Sequence, residues 1–455
     1  MRKAKLTMML LLCAACQSAF GDDLLKVYEQ ALEADPELRA SEVKIKIGEA
    51  QKGQALGQML PQITATTNWS TNSTTTANAP TRSNLSTADV TRNYGGSRYI
   101  VSLSQTILDF PKYWNWQRSK AVESQYTLEN IEAQQTLLYN VVERYFGVLE
   151  AEDELKFYKS EEETTAQQLE QIQKLFDRQL AKITDLYALE ARLDQVKASI
   201  IEAEAKVVTA KENLKELTNM SASSLAGLRD EIEYKELEGK LEDWLEVAKN
   251  ENPAIAAQQY AITAADNDVS SQKANHLPVV ELQLTYYNTD TGFQSSKLSN
   301  AVDTQVAAIN VNIPVFSGGT TTKRTQEAQH KLTLNKYQKE AQLRELVKNT
   351  SDAFLNSNAS VRRIKATRKA LESTRKSREA MEMGFSYGVE TISDVLKAQE
   401  EEFKAMRELS QAKYGYIKNR MRFLQSIGTI SEENLIEVNN WLQGVTPKTI
   451  QSIRH

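Results

Sequence analysis

Apolar and polar residues alternate along four stretches of this 455-residue chain. From Val279 to Tyr287, Val280, Leu282, Leu284 and Tyr286 share one side, and Glu281, Gln283, Thr285 and Tyr287 the other. From Val306 to Val315, Ala307, Ile309, Val311, Ile313 and Val315 oppose Val306, Ala308, Asn310 and Asn312. Earlier, Tyr99, Val101, Leu103 and Ile107 oppose Ser102, Ser104 and Thr106, and Gln62 to Trp69 repeats the pattern more weakly. A period of two over about ten residues predicts strands with one apolar face, turned either to lipid or to the core of a soluble sandwich. The connections favour lipid. Thr71 to Ser97 is long, rich in Thr, Asn and Ser and ends near Gly95-Gly96, and Asn288 to Asp303 is a shorter polar stretch. Both read as loops on one side of a barrel, with helices on the other.

Elsewhere the period changes to that of helices. Trp114 to Lys174 contains no proline and one glycine, Gly147, and Leu138, Val142, Tyr145 and Leu149 follow steps of 4, 3 and 4. A return segment is stricter: Leu186, Leu189, Leu193, Val196, Ile200, Ala203, Val207, Ala210, Leu214 and Leu217 alternate steps of three and four. Such a seam predicts coiled-coil packing. A second hairpin is expected from about Thr322 to Met383 and back from Ile392 to Ile427, after the breaker Ser317-Gly318-Gly319. Sixty residues of helix span roughly 90 Å, more than a compact domain requires.

The chain is one unit written twice. Asp35-Pro36 is followed 25 residues later by Leu60-Pro61, and Asn252-Pro253 is followed 25 residues later by Leu277-Pro278. In each pair Asp or Asn can cap a helix whose first position suits Pro, and the Leu-Pro step ends it. The hairpin turns match too: at an offset of 209, Phe176 meets Phe385, Ile183 meets Ile392, and Asp185 meets Asp394. The expected division is residues 22–220 and 242–430 as the two repeats, 221–241 as a connecting segment, and 431–455 as a C-terminal segment ending in a polar tail. The fold class expected is therefore α+β with internal duplication.

Met1 to Gly21 reads as a secretory signal, with Arg2, Lys3 and Lys5, an apolar run from Leu6 to Ala15, and Ala19-Phe20-Gly21 for cleavage. Both cysteines, Cys13 and Cys16, fall inside it, so the mature chain is expected to lack thiols; Cys16 as a lipid-anchored first residue is the alternative. Without the three cations of this segment the formal charge of −5 becomes −8, which argues against nucleic acid as a partner. No later run approaches the roughly 18 apolar residues of a spanning helix, so a membrane role has to use strands.

Catalytic chemistry finds little support. His276, His330 and His455 are far apart in ligand spacing, and there is no Gly-rich phosphate loop or nucleophile elbow. The runs Glu161-Glu162-Glu163 and Glu400-Glu401-Glu402 read as solvated helix faces. Asp185 and Asp394 differ, because they recur at the same place in both turns. Each either complements the dipole at the start of its returning helix, or stands with copies from other chains in a constricted mouth, where crowded carboxylates favour cations and resist ionisation.

These features resemble the TolC family of outer-membrane channels over essentially the whole mature chain. The resemblance is carried by DLLKVYEQALEADPELRAS after the signal, the Leu-Pro steps at Leu60 and Leu277, IPVFSGG from Ile313 to Gly319, and the turns FDRQLAKITD and MGFSYGVETISDVL. It implies a homotrimer in which each chain gives four strands to one β-barrel in outer-membrane lipid. The barrel is continued by a long periplasmic α-helical coiled-coil barrel. It implies passive export, with a periplasmic adaptor and an inner-membrane pump, ABC or proton-driven, docked on the helical end, and no cofactor. It also implies a periplasmic gate, in which Asp394 matches the first of the family's closing aspartates and Asp185 with Thr184 matches the acceptor side. Lys397 occupies the place of a second aspartate, Glu390 replaces a basic tie, and Phe385 replaces a hydrogen-bonding tyrosine; Lys182 is expected to pair with Glu390 instead. Gly388 matches a glycine of an adaptor-docking turn, whereas Gln179 stands where glycine is expected. A periplasmic coiled-coil adaptor or scaffold with a soluble β domain is the alternative, and a cell-surface fibre a more distant one; an adaptor should carry a single hairpin.

Overall fold

The computed structural model describes residues 22–80, 87–221, 224–290, 292–293 and 300–444. Residues 1–21, read as a secretory signal and holding Cys13 and Cys16, and the tail beyond Gly444 lie outside the described residues. The elements follow in chain order: α1 Leu24–Ala34, α2 Pro36–Gly57, β1 Gln62–Pro80, β2 Thr87–Leu108, α3 Phe110–Asp177 and α4 Ile183–Thr218. Then come α5 Leu241–Glu251, α6 Pro253–Ala274, β3 Val279–Thr289, β4 Val302–Asn312, α7 Thr320–Ser386, α8 Ile392–Ser426 and α9 Glu432–Asn439. The order from α1 to α4 repeats from α5 to α8. The capping logic holds in both copies: Asp35 Oδ1 accepts the Leu38 amide at 2.8 Å, and Asn252 Oδ1 accepts that of Ala254 at 3.0 Å. Long helical seams formed where the period of 3.6 ran uninterrupted, giving α3 and α7 lengths of 68 and 67 residues.

The chain divides into two compact units. One comprises Met1–Glu42, Leu128–Ala256 and Ala341–His455, and the other Val43–Thr127 and Ala257–Glu340. The second unit contains one antiparallel sheet in the order β1-β2-β3-β4. Its register decides what the alternation meant. Ile63 lies opposite Leu103, Ala65 opposite Val101, Val101 opposite Tyr286, Leu103 opposite Leu284, and Leu282 opposite Ile309. Directly opposed residues share a face, so the four apolar rows merge into one. On the other face Ser102 and Thr285 hydroxyls meet at 3.3 Å, and Asn310 Nδ2 donates to Gln283 Oε1 at 2.9 Å. Among the described residues nothing covers the apolar face: Ile63 and Trp69 are each 70% exposed. Trp69, Tyr99 and Tyr286, all exposed, gather toward the end where Arg98 pairs with Thr289, as interfacial aromatic rings do.

The strands are longer than their alternation suggested. Most of Thr71–Ser97, read as a loop, is ladder: Asn72 pairs with Tyr94, Thr74 with Arg92 and Thr76 with Val90. Both faces of this extension are polar, so no apolar period marks it, yet threonine suits a strand and the backbone ladder needs no apolar partner. The hydroxyls of Thr75 and Thr91, for example, meet at 2.8 Å across it.

In the first unit the main core joins α1, the start of α2, α3, α4, α7, α8 and α9. Tyr145, Phe146, Leu24, Ile417 and Leu435 are fully buried in it. Two isolated bridges knit the chain's distant parts together there, Asp22 with Leu225 and Leu228 with Leu442. Among the described residues no helix is long and apolar enough to cross a membrane.

Candidate functional site at two paired turns

The turn between α3 and α4 closes on Gln179, at φ 63°, the left-handed region. Its amide donates to Phe176 O at 2.8 Å, and Leu180 N to Leu175 O at 2.8 Å. The turn between α7 and α8 uses Gly388 at φ 76°, with Gly388 N donating to Phe385 O at 3.0 Å. The two turns therefore share one geometry, reached with glycine in one and at a steric cost in the other. Gln179→Gly is expected to raise thermal stability by the equivalent of about 1 kcal/mol; a lower melting temperature would show that the Gln side chain contributes more than its backbone costs.

Each returning helix begins with an acid that accepts the amide three residues before it, and at the second turn the bond is reciprocated. Asp185 Oδ2 accepts the Lys182 amide at 3.4 Å. At the second turn Thr391 N–H and Thr391 Oγ1 donate to Asp394 Oδ2 at 3.2 and 2.6 Å, and the Asp394 amide returns a bond to Thr391 Oγ1 at 3.3 Å. This is a capping box, which satisfies amides that the first helical turn leaves open. The Thr391 hydroxyl, then its amide, hold the Asp394 carboxyl below its ordinary value, with Lys397 helping. The cap is complete above pH 3.8, the ordinary value, and is lost as pH falls through the lower folded value. Within one chain both acids are thus caps, and Asp394 remains exposed.

An apolar cluster holds the turns at one level. Ile172, Leu189, Ile392 and Val395 are buried together, with Leu175, Ala181, Met381 and Phe385 packed around them. Phe385 thus acts through packing, where a tyrosine would have offered a hydroxyl. Glu390 folds back over Gly384, where a Cβ would come within 2.5 Å of its Cγ. Thr184, Lys182 and Lys397 are exposed, and no ion pair joins Lys182 to Glu390 within the described chain. The tips are apolar and open, with Leu180 71%, Tyr387 82% and Val389 78% exposed.

Above the turns lies a set of residues that the sequence reading misplaced. Glu161 and Glu402 are buried, at 1% and 5% exposure, not solvated. Glu161 on α3 accepts hydrogen bonds from Arg192 of α4 and from Arg407 of α8, the latter at 3.0 Å. Arg407 also lies 4.4 Å from the centre of the Tyr158 ring, and Arg192 reaches Glu400 at 3.2 Å. Glu402 on α8 is held by Arg375, at 3.2 Å, and by Arg378, both of α7. Gln399, also buried, has both amide atoms unpaired, and the Thr165 hydroxyl is unpaired as well. The seam between the hairpins is therefore polar at this level. Its signal was present: the 4, 3, 4 steps that end at Leu149 resume at Glu161, Thr165, Gln168 and Ile172.

The family model described as outer membrane efflux protein matches residues 27–220 and 244–429. The Outer membrane protein TolC of Vibrio cholerae serotype O1 is 30% identical over 429 residues, covering 94% of this chain and 95% of its own. The Alkaline protease secretion protein AprF of Pseudomonas aeruginosa is 26% identical over 440 residues, covering 95% of this chain and 90% of its own. Among solved structures, the Campylobacter jejuni CmeC outer membrane channel superposes with a TM-score of 0.78 at 17% identity, over 93% of this chain and 90% of that one.

Proposed function

This chain belongs to the outer membrane efflux protein family, and from that premise we propose that three copies of it assemble into the gated exit duct of a tripartite export system. Its members are outer-membrane conduits, not enzymes, and this chain is one of them. The observation that carries the assembly is the sheet. Its apolar rows share one exposed face, and β1 and β4 each pair with only one strand among the described residues. Open edges and a bare apolar face are unstable in water and satisfied in lipid, where a sheet has to close on itself. Three copies give a twelve-stranded barrel, apolar outside and lined by Ser, Thr, Gln and Asn.

The helical hairpins then form the periplasmic tunnel, with the paired turns at its mouth. Copies of Asp394 brought around one axis present a ring of carboxylates that favours cations. Their mutual repulsion opposes the capping bonds that hold each carboxyl ionised within its own chain. Lys182 and Glu390 tie neighbouring hairpins across copies, since they form no pair within one chain. The exposed tips around Gly388 and Gln179 suit an adaptor's apolar contacts, and the pump behind it delivers drugs or polypeptides.

Single-channel conductance in planar bilayers tests this reading. The parent should give small, cation-preferring currents blocked by trivalent cations from the periplasmic side, and Asp394→Ala should abolish that block. Lys182→Glu or Glu390→Lys alone should raise conductance, with the double swap returning it toward the parent. Folded protein that never inserts or conducts would sink the duct reading.

A further inference from the structure

Nineteen residues separate Ile172 from Asp153 on α3, and nineteen separate Val395 from Tyr414 on α8. Ile172 and Val395 share the apolar cluster at the turns, and the Tyr414 hydroxyl donates to Asp153 Oδ2 at 2.8 Å. The two antiparallel helices therefore keep one register between these anchors, with Glu161 accepting from Arg407 on the way. That register sets Gln168 level with Gln399, four residues from Ile172 and Val395, and Thr165 level with Glu402, seven residues from them.

Between Leu149 and Ile172 the buried side chains of α3 are Ala151, Glu161 and Thr165, and between Val395 and Ala412 those of α8 are Gln399, Glu402 and Ala405. A polar layer thus parts the apolar cluster at the turns from the main core, whose nearest buried members on these helices are Leu149 and Ala412. Helix α4 keeps Leu193, Val196 and Ile200 buried at this height. The break therefore lies between the two hairpins, not within the first.

Inside this layer the hydrogen-bonding capacity of three side chains is left over. Gln399 is 3% exposed, and neither its Nε2 nor its Oε1 finds a partner among the described residues. Thr165 is 1% exposed, and its hydroxyl is unpaired, although the neighbouring Thr164 donates to Ser160 O at 2.8 Å in the ordinary helical way. Gln168 Oε1 is the third buried atom without a partner. The layer's two carboxylates cannot serve them, because Arg192 and Arg407 hold Glu161, and Arg375 and Arg378 hold Glu402. Two amide oxygens need a donor, and the Gln399 Nε2 needs an acceptor. A cation would leave Nε2 unpaired, and an anion would leave both oxygens unpaired. Water supplies both.

We infer that Gln399, Thr165 and Gln168 form a buried water-binding site, and that at this hydrated layer the paired turns come away from the core as one cooperative unit. Water bonded to both helices completes their polar atoms without interlocking them. Apolar side chains there would join the cluster at the turns to the main core, so that neither could open alone. The water site stands on the seam by itself; its use in opening a mouth rests on the duct reading.

Hydrogen exchange of the purified full-length protein in detergent, read by mass spectrometry, tests the unit. Amides of residues 169–189 and 380–398 should exchange together, about tenfold or more faster than those of residues 140–160 and 405–420, with the step at the Gln168 level. Thr165→Val with Gln168→Leu and Gln399→Leu should slow the turn amides about tenfold and leave the core amides unchanged, because no buried polar atom then remains to be hydrated. A smooth rise of exchange toward the turns in the parent, or faster turn exchange in the triple variant, would overturn the inference. A density map of the parent that resolves ordered water gives a reading independent of any variant: water should bridge Gln399 and Thr165. Gln168 bonded directly to Gln399, with no water between the helices, would overturn the site. Protein that shows the step and the water yet never conducts would sink the duct reading and leave the site standing.

Discussion

Glu161→Ala is expected to lower the stability of the helical hairpins by about 3 kcal/mol, the usual scale for removing one partner of a buried ion pair. The carboxylate is 1% exposed and serves two arginines whose side chains are only 14% and 15% exposed. Removing it leaves the Arg407 guanidinium without a carboxylate and Arg192 with only the half-exposed Glu400 at 3.2 Å, and that poorly compensated charge, not the loss of attraction, dominates the cost. Glu163→Ala, two residues away and exposed, should stay within about 0.5 kcal/mol of the parent. The helical circular-dichroism signal on heating in detergent measures both. Equal effects of the two variants would show that the run is solvated as its composition suggests. Because Glu161 also joins α8 to α3, the stranded variant should conduct more in bilayers than the parent even where it remains folded.

Asn439→Leu should cost about 2 kcal/mol through a different route. Asn439 is fully buried, and its Oδ1 accepts the amides of Leu24 and Leu25 at 3.0 and 3.4 Å, while its Nδ2 reaches Asp23 Oδ2 at 3.4 Å. These are open amides at the start of α1, which Leu cannot satisfy and water does not reach. Unfolding by guanidinium in detergent reads the change as a lower midpoint. A midpoint equal to the parent's would mean that α1 finds another cap.

Elements with a sustained period were legible: the 3-and-4 steps from Leu186 to Leu217 became α4, and the alternation from Val279 became β3. The Asp185 and Asp394 alignment found the turns because a repeat reports position without structural input. Where both faces of an element meet the same medium, as along Thr71 to Tyr94, periodicity vanishes and only the backbone ladder tells strand from loop. Glu161 escaped for the opposite reason. Three adjacent acids look alike in sequence, and only the direction of the seam selects which one is buried, together with arginines 31 and 246 residues away.

The three-segment make-up of the first unit bears on how the protein is made. Its core draws on α1, on α3 and α4, and on α7, α8 and α9, and its last bridge joins Leu228 to Leu442. A ribosome or translocon delivering the chain from its N-terminus therefore exposes the apolar faces of α1, α3 and α4 long before the residues that cover them arrive. Such a polypeptide has to be held unfolded until synthesis is almost finished. Nonsense products ending before α9 should go to proteases, and the yield of assembled protein should depend on periplasmic holding chaperones more than on the final stability of the helices.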